Sequence, residues 1–245
     1  MNHERSVKCE TDDALPSTGS RPIVVEVDGT DSGRDAIAWA YREAGRRGVR
    51  VRVLSGRDPG LPADLDASMI VVGSATFLRM SDLADGSTAM ALAAHASVPV
   101  VIVRPGSSDG PGPSAGRVVV GVDGTGLSEP AIDFAFAEAR DRDCGVTLVH
   151  AVEDEAGRAD AEAMLTSLGA GHADLRVVVS ADLASHALIE ESAGARLLVV
   201  GSRGHGGLSG MLLGSVSQAV VHRAHCPVAV VRQATRRERN VSRRL

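Results

Sequence analysis

The sequence predicts an α/β protein built from two tandem, doubly wound, open parallel-sheet modules, the first of them truncated. Three observations carry that prediction. The first is an internal repeat. The segment Val25-Glu26-Val27-Asp28-Gly29-Thr30 recurs as Val120-Gly121-Val122-Asp123-Gly124-Thr125, and Ala36-Ile37 recurs as Ala131-Ile132 in the same register. Val71-Val72-Gly73-Ser74 returns as Val199-Val200-Gly201-Ser202, and Val98-Pro99-Val100 as Cys226-Pro227-Val228. The second is the alternation, within each copy, of short β-branched runs with helix-forming stretches, the order that gives a parallel sheet with right-handed crossovers. The third is a stretch between the copies, 105–114, whose glycines, prolines and serines read as a linker.

In the second copy, strands are expected at 117–122, 146–151, 175–179, 196–200 and 228–231. Helices at 130–140, 159–168, 183–192 and about 214–223 separate them. The strands are near-continuous apolar runs, as burial on both faces of a parallel sheet requires. In the first copy, Val51-Arg52-Val53-Leu54 is followed almost at once by Met69-Ile70-Val71-Val72, so a strand and at least one helix are missing. The short connection favours survival of the neighbour of the first strand. The chain then divides into a disordered tail (1–20), a degenerate module (21–105), a linker (106–116), a complete module (117–232) and a basic tail (233–245).

Composition narrows the class. Of 245 residues 44% are hydrophobic and 23% charged, an ordinary globular balance, and aromatics are only 2%, so the core must be aliphatic. Three cysteines, Cys9, Cys144 and Cys226, lack metal-ligand spacing and point to reduced thiols and a cytoplasmic home. No apolar run approaches the roughly 20 residues that span a bilayer, and residues 1–20 contain no signal-peptide core. A net charge of −5 gives no general reason to bind nucleic acid, and the scarcity of aromatics removes stacking surfaces for single strands. The arginines between Arg236 and Arg244 read as a solvated charged tail.

The most informative stretch, 197–217, reads LLVVGSRGHGGLSGMLLGSVS: a strand, a glycine loop and a helix start. Glycines admit close backbone approach, and a helix N-terminus offers free N–H groups and partial positive charge, so the piece suits a phosphate. Neither G-x-G-x-x-G nor the P-loop pattern is present, and the only lysine is Lys8. The spacing Gly201-x2-Gly204-x9-Gly214-Ser215 resembles the ATP-binding signature of the universal stress protein family. The V-D-G-T strings and the closing Cys226-Pro227-Val228 strand add to that resemblance, which covers residues 21–232.

The resemblance implies an adenine-nucleotide-α-hydrolase-like fold, ATP as ligand with or without Mg²⁺, a homodimer and a regulatory protein partner. It implies that Asp123 reads the adenosine, that the backbone at Ala151 lies against adenine, and that Gly201, Arg203, Gly204, Gly214, Ser215, Val216 and Ser217 surround ribose and phosphates. His205, in the same loop, is a further candidate to balance phosphate charge. From the residues alone, Asp123 is either a ligand acceptor at a strand end or a cap for the helix starting near Ser128. His222-x2-His225-Cys226 reads as a helix end entering a buried strand rather than as a metal site.

In the first copy the loop spacing survives, but Thr76 stands at the Gly204 position and Asp82 and Asp85 precede the helix start, where they repel phosphate. That copy is expected to bind ATP weakly or not at all and to serve packing and dimerisation. The reading is an ATP-binding, nucleotide-dependent stress-response regulator rather than an enzyme. Two alternatives stand beside it: a slow ATPase or phosphotransferase using Asp123 and His205, and an interaction protein that carries no nucleotide.

Overall fold

Strands form where the apolar runs predict them. The computed structural model describes residues 20–27, 29–55, 66–75, 96–106, 112–204 and 213–233. The first module contains β1 (Ile23–Val27), α1 (Asp31–Arg47), β2 (Val51–Ser55), β3 (Met69–Gly73) and β4 (Val100–Val103). The second opens with β5 (Val118–Gly121), α2 (Glu129–Asp141) and β6 (Val146–Ala151). A 3-10 turn, Glu155–Gly157, runs into α3 (Arg158–Leu168), followed by β7 (Leu175–Ser180) and α4 (Ala184–Glu191). The module closes with β8 (Leu197–Gly201), α5 (Ser215–Arg223) and β9 (Val228–Val231).

The two modules share one sheet of nine strands, in the order β2-β1-β3-β4-β9-β8-β5-β6-β7. All neighbours are parallel except β4 and β9, which pair antiparallel with Val101 opposite Ala229. Edge pairing merges the predicted open sheets, because each closing strand covers the other's unpaired backbone groups. In the first module β2 pairs with β1, and among the described residues no strand lies outside it.

Helices α1, α2 and α3 pack on one face, where Ala36, Ala131, Ile132 and Leu165 meet Val25, Val120 and Leu148. On the other face Leu188 of α4 and Val220 of α5 meet Val119, Leu198 and Val228. The core is aliphatic, as composition requires: Ile23, Leu148, Leu165, Leu197 and Leu198 are fully buried. Each copy's D-G-T turn needs its glycine, with φ of 79° at Gly29 and 76° at Gly124, a region costly for residues with a Cβ. Of the linker, residues 112–116 are described, and they pack on the second module: Ser114 is buried, its hydroxyl donates to Glu191, and it shares a hydrogen bond with Thr147 Oγ1 (3.1 Å).

Across the seam the repeat builds a second tie. Glu43 and Arg47 of α1 meet their repeat counterparts Glu138 and Arg142. Arg142 donates to Glu43 (2.8 Å) and to Glu138, while Arg47 donates to Glu43 (2.5 Å) and to Glu138. Both carboxylates and Arg142 are at most 3% exposed. Burial pulls the Arg142 guanidinium below its ordinary value, and the charge of Glu138 opposes the shift. Removing one partner from such a buried set strands charge in the interior and costs about 3–5 kcal/mol. Glu138→Leu should therefore lower the unfolding free energy by about that amount, whereas Asp133→Ala on the same helix should change it by less than about 0.5 kcal/mol. Urea unfolding followed by circular dichroism measures both.

Candidate ligand cavity at the sheet's switch point

In the second module the chain leaves β5 toward β6 and leaves β8 toward β9, so crossovers diverge to opposite faces between β5 and β8. Open parallel sheets hold their ligands at the carboxyl ends of strands at such a point. A cavity of about 370 Å³ lies there, within the size range of small-molecule sites.

The strand ends bring Val122 and Asp123 from β5, His150 and Ala151 from β6, and Gly201, Arg203 and Gly204 from β8 to its wall. Gly214, Ser215, Val216 and Ser217 bring the start of α5. Every residue that the sequence singled out thus lines one cavity, except His205, which falls outside the described residues together with Asp28, Thr76, Asp82, Asp85 and the basic tail.

Asp123 is occupied with the chain itself. Its Oδ1 accepts from Thr125 N (2.9 Å), Thr125 Oγ1 (2.8 Å) and Ser128 Oγ (2.5 Å), and its own N–H donates to Ser128 Oγ (2.8 Å). The side chain therefore braces the turn before α2 instead of capping the helix, whose N-cap Ser128 makes no side-chain cap bond. The other oxygen, Oδ2, is buried against Gly204, where an added Cβ would stand 3.3 Å away. Gly204 does not adopt positive φ; its constraint is this close approach to Asp123.

The α5 end differs. Gly214 makes no side-chain cap, and the helix's first backbone bond runs from Gln218 N to Gly214 O (2.9 Å). The N–H groups of Ser215, Val216 and Ser217 thus belong to the first turn, where no intrahelical acceptor exists. A Cβ on Gly214 would meet only ordinary contacts among the described residues, the nearest Arg203 Cα at 3.6 Å, so the fold does not require glycine there. The two serines divide their work. Ser217 is buried and its hydroxyl donates to Gly201 O (2.6 Å), tying helix to strand. Ser215 is exposed.

His150 was passed over in the motif because only its neighbour belongs to the family pattern. Its Nδ1 lies 2.8 Å from Val122 O. A carbonyl only accepts, so Nδ1 carries the hydrogen. Ala184 and Leu188 of α4 also line the wall, and no local motif marks them. Gly121 gives Leu188 its space: a Cβ there would be 3.0 Å from Leu188 Cδ1.

The first module's equivalent crevice is packed shut where it is described. A Cβ on Gly73, the counterpart of Gly201, would sit 2.7 Å from Ser32 Oγ and 2.8 Å from Gly33 N. Helix α1 starts directly after the D-G-T turn, with Thr30 as its N-cap, and buries Ser32, whose hydroxyl accepts from Ala75 N (3.0 Å). In the second module the counterpart, Leu127, stands exposed ahead of a helix that starts later.

Fold and cavity together define a doubly wound α/β protein with a ligand-sized crevice at its switch point. The universal stress protein family model matches residues 61–104, 115–182 and 158–232, and the chain belongs to that family. It is 38% identical over 186 residues to universal stress protein Rv2005c of Mycobacterium tuberculosis, covering 69% of this chain and 63% of that one. Identity to universal stress protein Rv2623 of the same organism is 37% over 187 residues, again 69% and 63%. The chain thus spans less than two thirds of the length of these relatives. A universal stress protein from Archaeoglobus fulgidus has the same fold, with a TM-score of 0.57 and 22% identity over 87% of this chain and 86% of that one. Among the described residues no helix is long and apolar enough to cross a membrane.

The division of labour between the serines is measurable. Ser217→Ala should lower the unfolding free energy by about 1 kcal/mol, the net worth of one hydrogen bond, while Ser215→Ala should leave it within about 0.5 kcal/mol. Thermal or urea unfolding of both variants checks the difference.

Proposed function

We propose that the second module binds one adenine nucleotide of the ATP type and that the protein is a nucleotide-dependent regulator rather than an enzyme. The observation that carries this reading is the α5 start: an uncapped helix N-terminus behind a glycine that the fold does not need, opening into a ligand-sized cavity. Phosphates would take the N–H groups of Ser215, Val216 and Ser217, with Arg203 and His205 balancing charge. The base would enter between Ala151 and the β5 end, with Asp123 toward the ribose. Mg²⁺, where it accompanies ATP, would lie with the phosphates.

A nucleoside hydrogen-bonded to Asp123 would lie beside Gly204, whose backbone comes close to the carboxylate. Binding is thereby linked to the position of the glycine loop, which is the surface a second copy or a regulatory protein would sense. A ligand shifts an equilibrium between loop positions only through unequal affinity for them. Binding without turnover suits the carboxylate, since Oδ1 already accepts three hydrogen bonds from the chain itself. The thiols of Cys144 and Cys226 fit a reducing cytoplasm.

Protein purified without added nucleotide, then denatured, should release about one adenine nucleotide per chain, or should bind about one on titration with ATP. Gly214→Val should abolish retention yet unfold within about 1 kcal/mol of the parent. Two nucleotides per chain would mean that the first module also binds, and none, with no binding on titration, would sink the reading.

A further inference from the structure

The repeat shows what the first module lacks and what its absence leaves open. Val53 in β2 is 48% exposed, whereas its counterpart Leu148 in β6 is fully buried. Tyr41 of α1 is 50% exposed, whereas its counterpart Phe136 packs into the core and stacks on His172 at 3.5 Å. In the second module, β7 and α3 supply that cover. Among the described residues no strand lies beyond β2.

The edge is also polar in a defined way. Ile23 N donates to Arg50 O (2.9 Å), so Arg50, Arg52 and Leu54 turn their backbone groups toward β1, and Val51 and Val53 turn theirs outward. The counterpart of Val51, Val146, uses its outward N–H to donate to Asp174 O (3.0 Å) of the segment entering β7. Among the described residues the exposed charge on and beside β2 has one sign. Arg42, Arg50 and Arg52 are exposed, and no ion pair engages them among the described residues. The nearby carboxylate, Glu43, is buried and already held by Arg46, Arg47 and Arg142.

We infer that the outer edge of β2 is a docking site for an extended, acidic segment of a partner protein, which adds as a further strand. Main-chain bonds to Val51 and Val53 supply the pairing, aliphatic side chains cover Tyr41 and Val53, and carboxylates meet the three arginines. Charge complementarity selects this occupant over a second copy of the chain, because two β2 edges would bring two arginine-rimmed surfaces together. The site lies on the module that carries no proposed ligand and does not depend on the nucleotide reading.

The test uses the full chain and a short fluorescein-labelled peptide alternating valine and glutamate, with a valine–lysine peptide and a single-stranded oligonucleotide as comparisons, all read by fluorescence anisotropy. The glutamate peptide should bind saturably and about tenfold or more tighter than the lysine peptide. Val53→Pro removes an outward N–H and spares the bonds to β1, and it should weaken binding about tenfold. Arg50→Glu/Arg52→Glu, which leaves the backbone intact, should reverse the preference between the peptides. No binding by either peptide would overturn the inference. So would oligonucleotide binding that exceeds the peptide's and ignores Val53→Pro, which marks a plain basic patch. Concentration-dependent dimers abolished by Val53→Pro in sedimentation would assign the edge to self-association instead.

Discussion

The antiparallel contact between β4 and β9 is the constraint on which the molecule depends. A parallel module cannot close its own sheet, and each ends on a strand with one side bare. Joining the bare sides covers both, and the approach brings α1 and α2 together over the seam. There the repeated Glu and Arg positions form a charge set that neither module could bury alone. Such a set contributes geometry more than energy, since isolated pairs of this kind repay little of their desolvation. It requires the two helices to meet in one register.

Within that frame, small backbone differences between the two copies decide how much space lies beside the strand ends where both are described. Both have the D-G-T turn with its left-handed glycine. In the first, the helix begins at once and Ser32 fills the space beside Gly73. In the second, the turn continues through Ser128, braced by Asp123, and the helix begins later, so space remains between strand ends and α5. The carboxylate that organises the turn is the same one that borders the cavity, beside Gly204.

Much of this was legible in the sequence. Apolar runs gave the strands because burial on both faces tolerates little else, and the repeat gave the modules. The glycine spacing marked the cavity because strand, loop and helix start are contiguous there. The β4–β9 seam was not legible, since edge pairing between distant segments leaves no local pattern. Nor were Leu188 and Ala184, which reach the cavity by tertiary packing from another segment. Nor were the local contacts of Ser217 and Gly204, since their neighbours, Gly201 O and Asp123, come from other elements.

The seam also has a consequence for synthesis. β4 is made early and its partner β9 long afterwards, with the rest of the second module between them. The first module therefore leaves the ribosome with the outer side of β4 bare and its half of the buried charge set unanswered. Contacts so distant in sequence form slowly, and exposed edges invite association with other chains. Nascent chains of this protein should need protection from a chaperone until β9 emerges, and the complete module, made second, becomes the template on which the incomplete one settles.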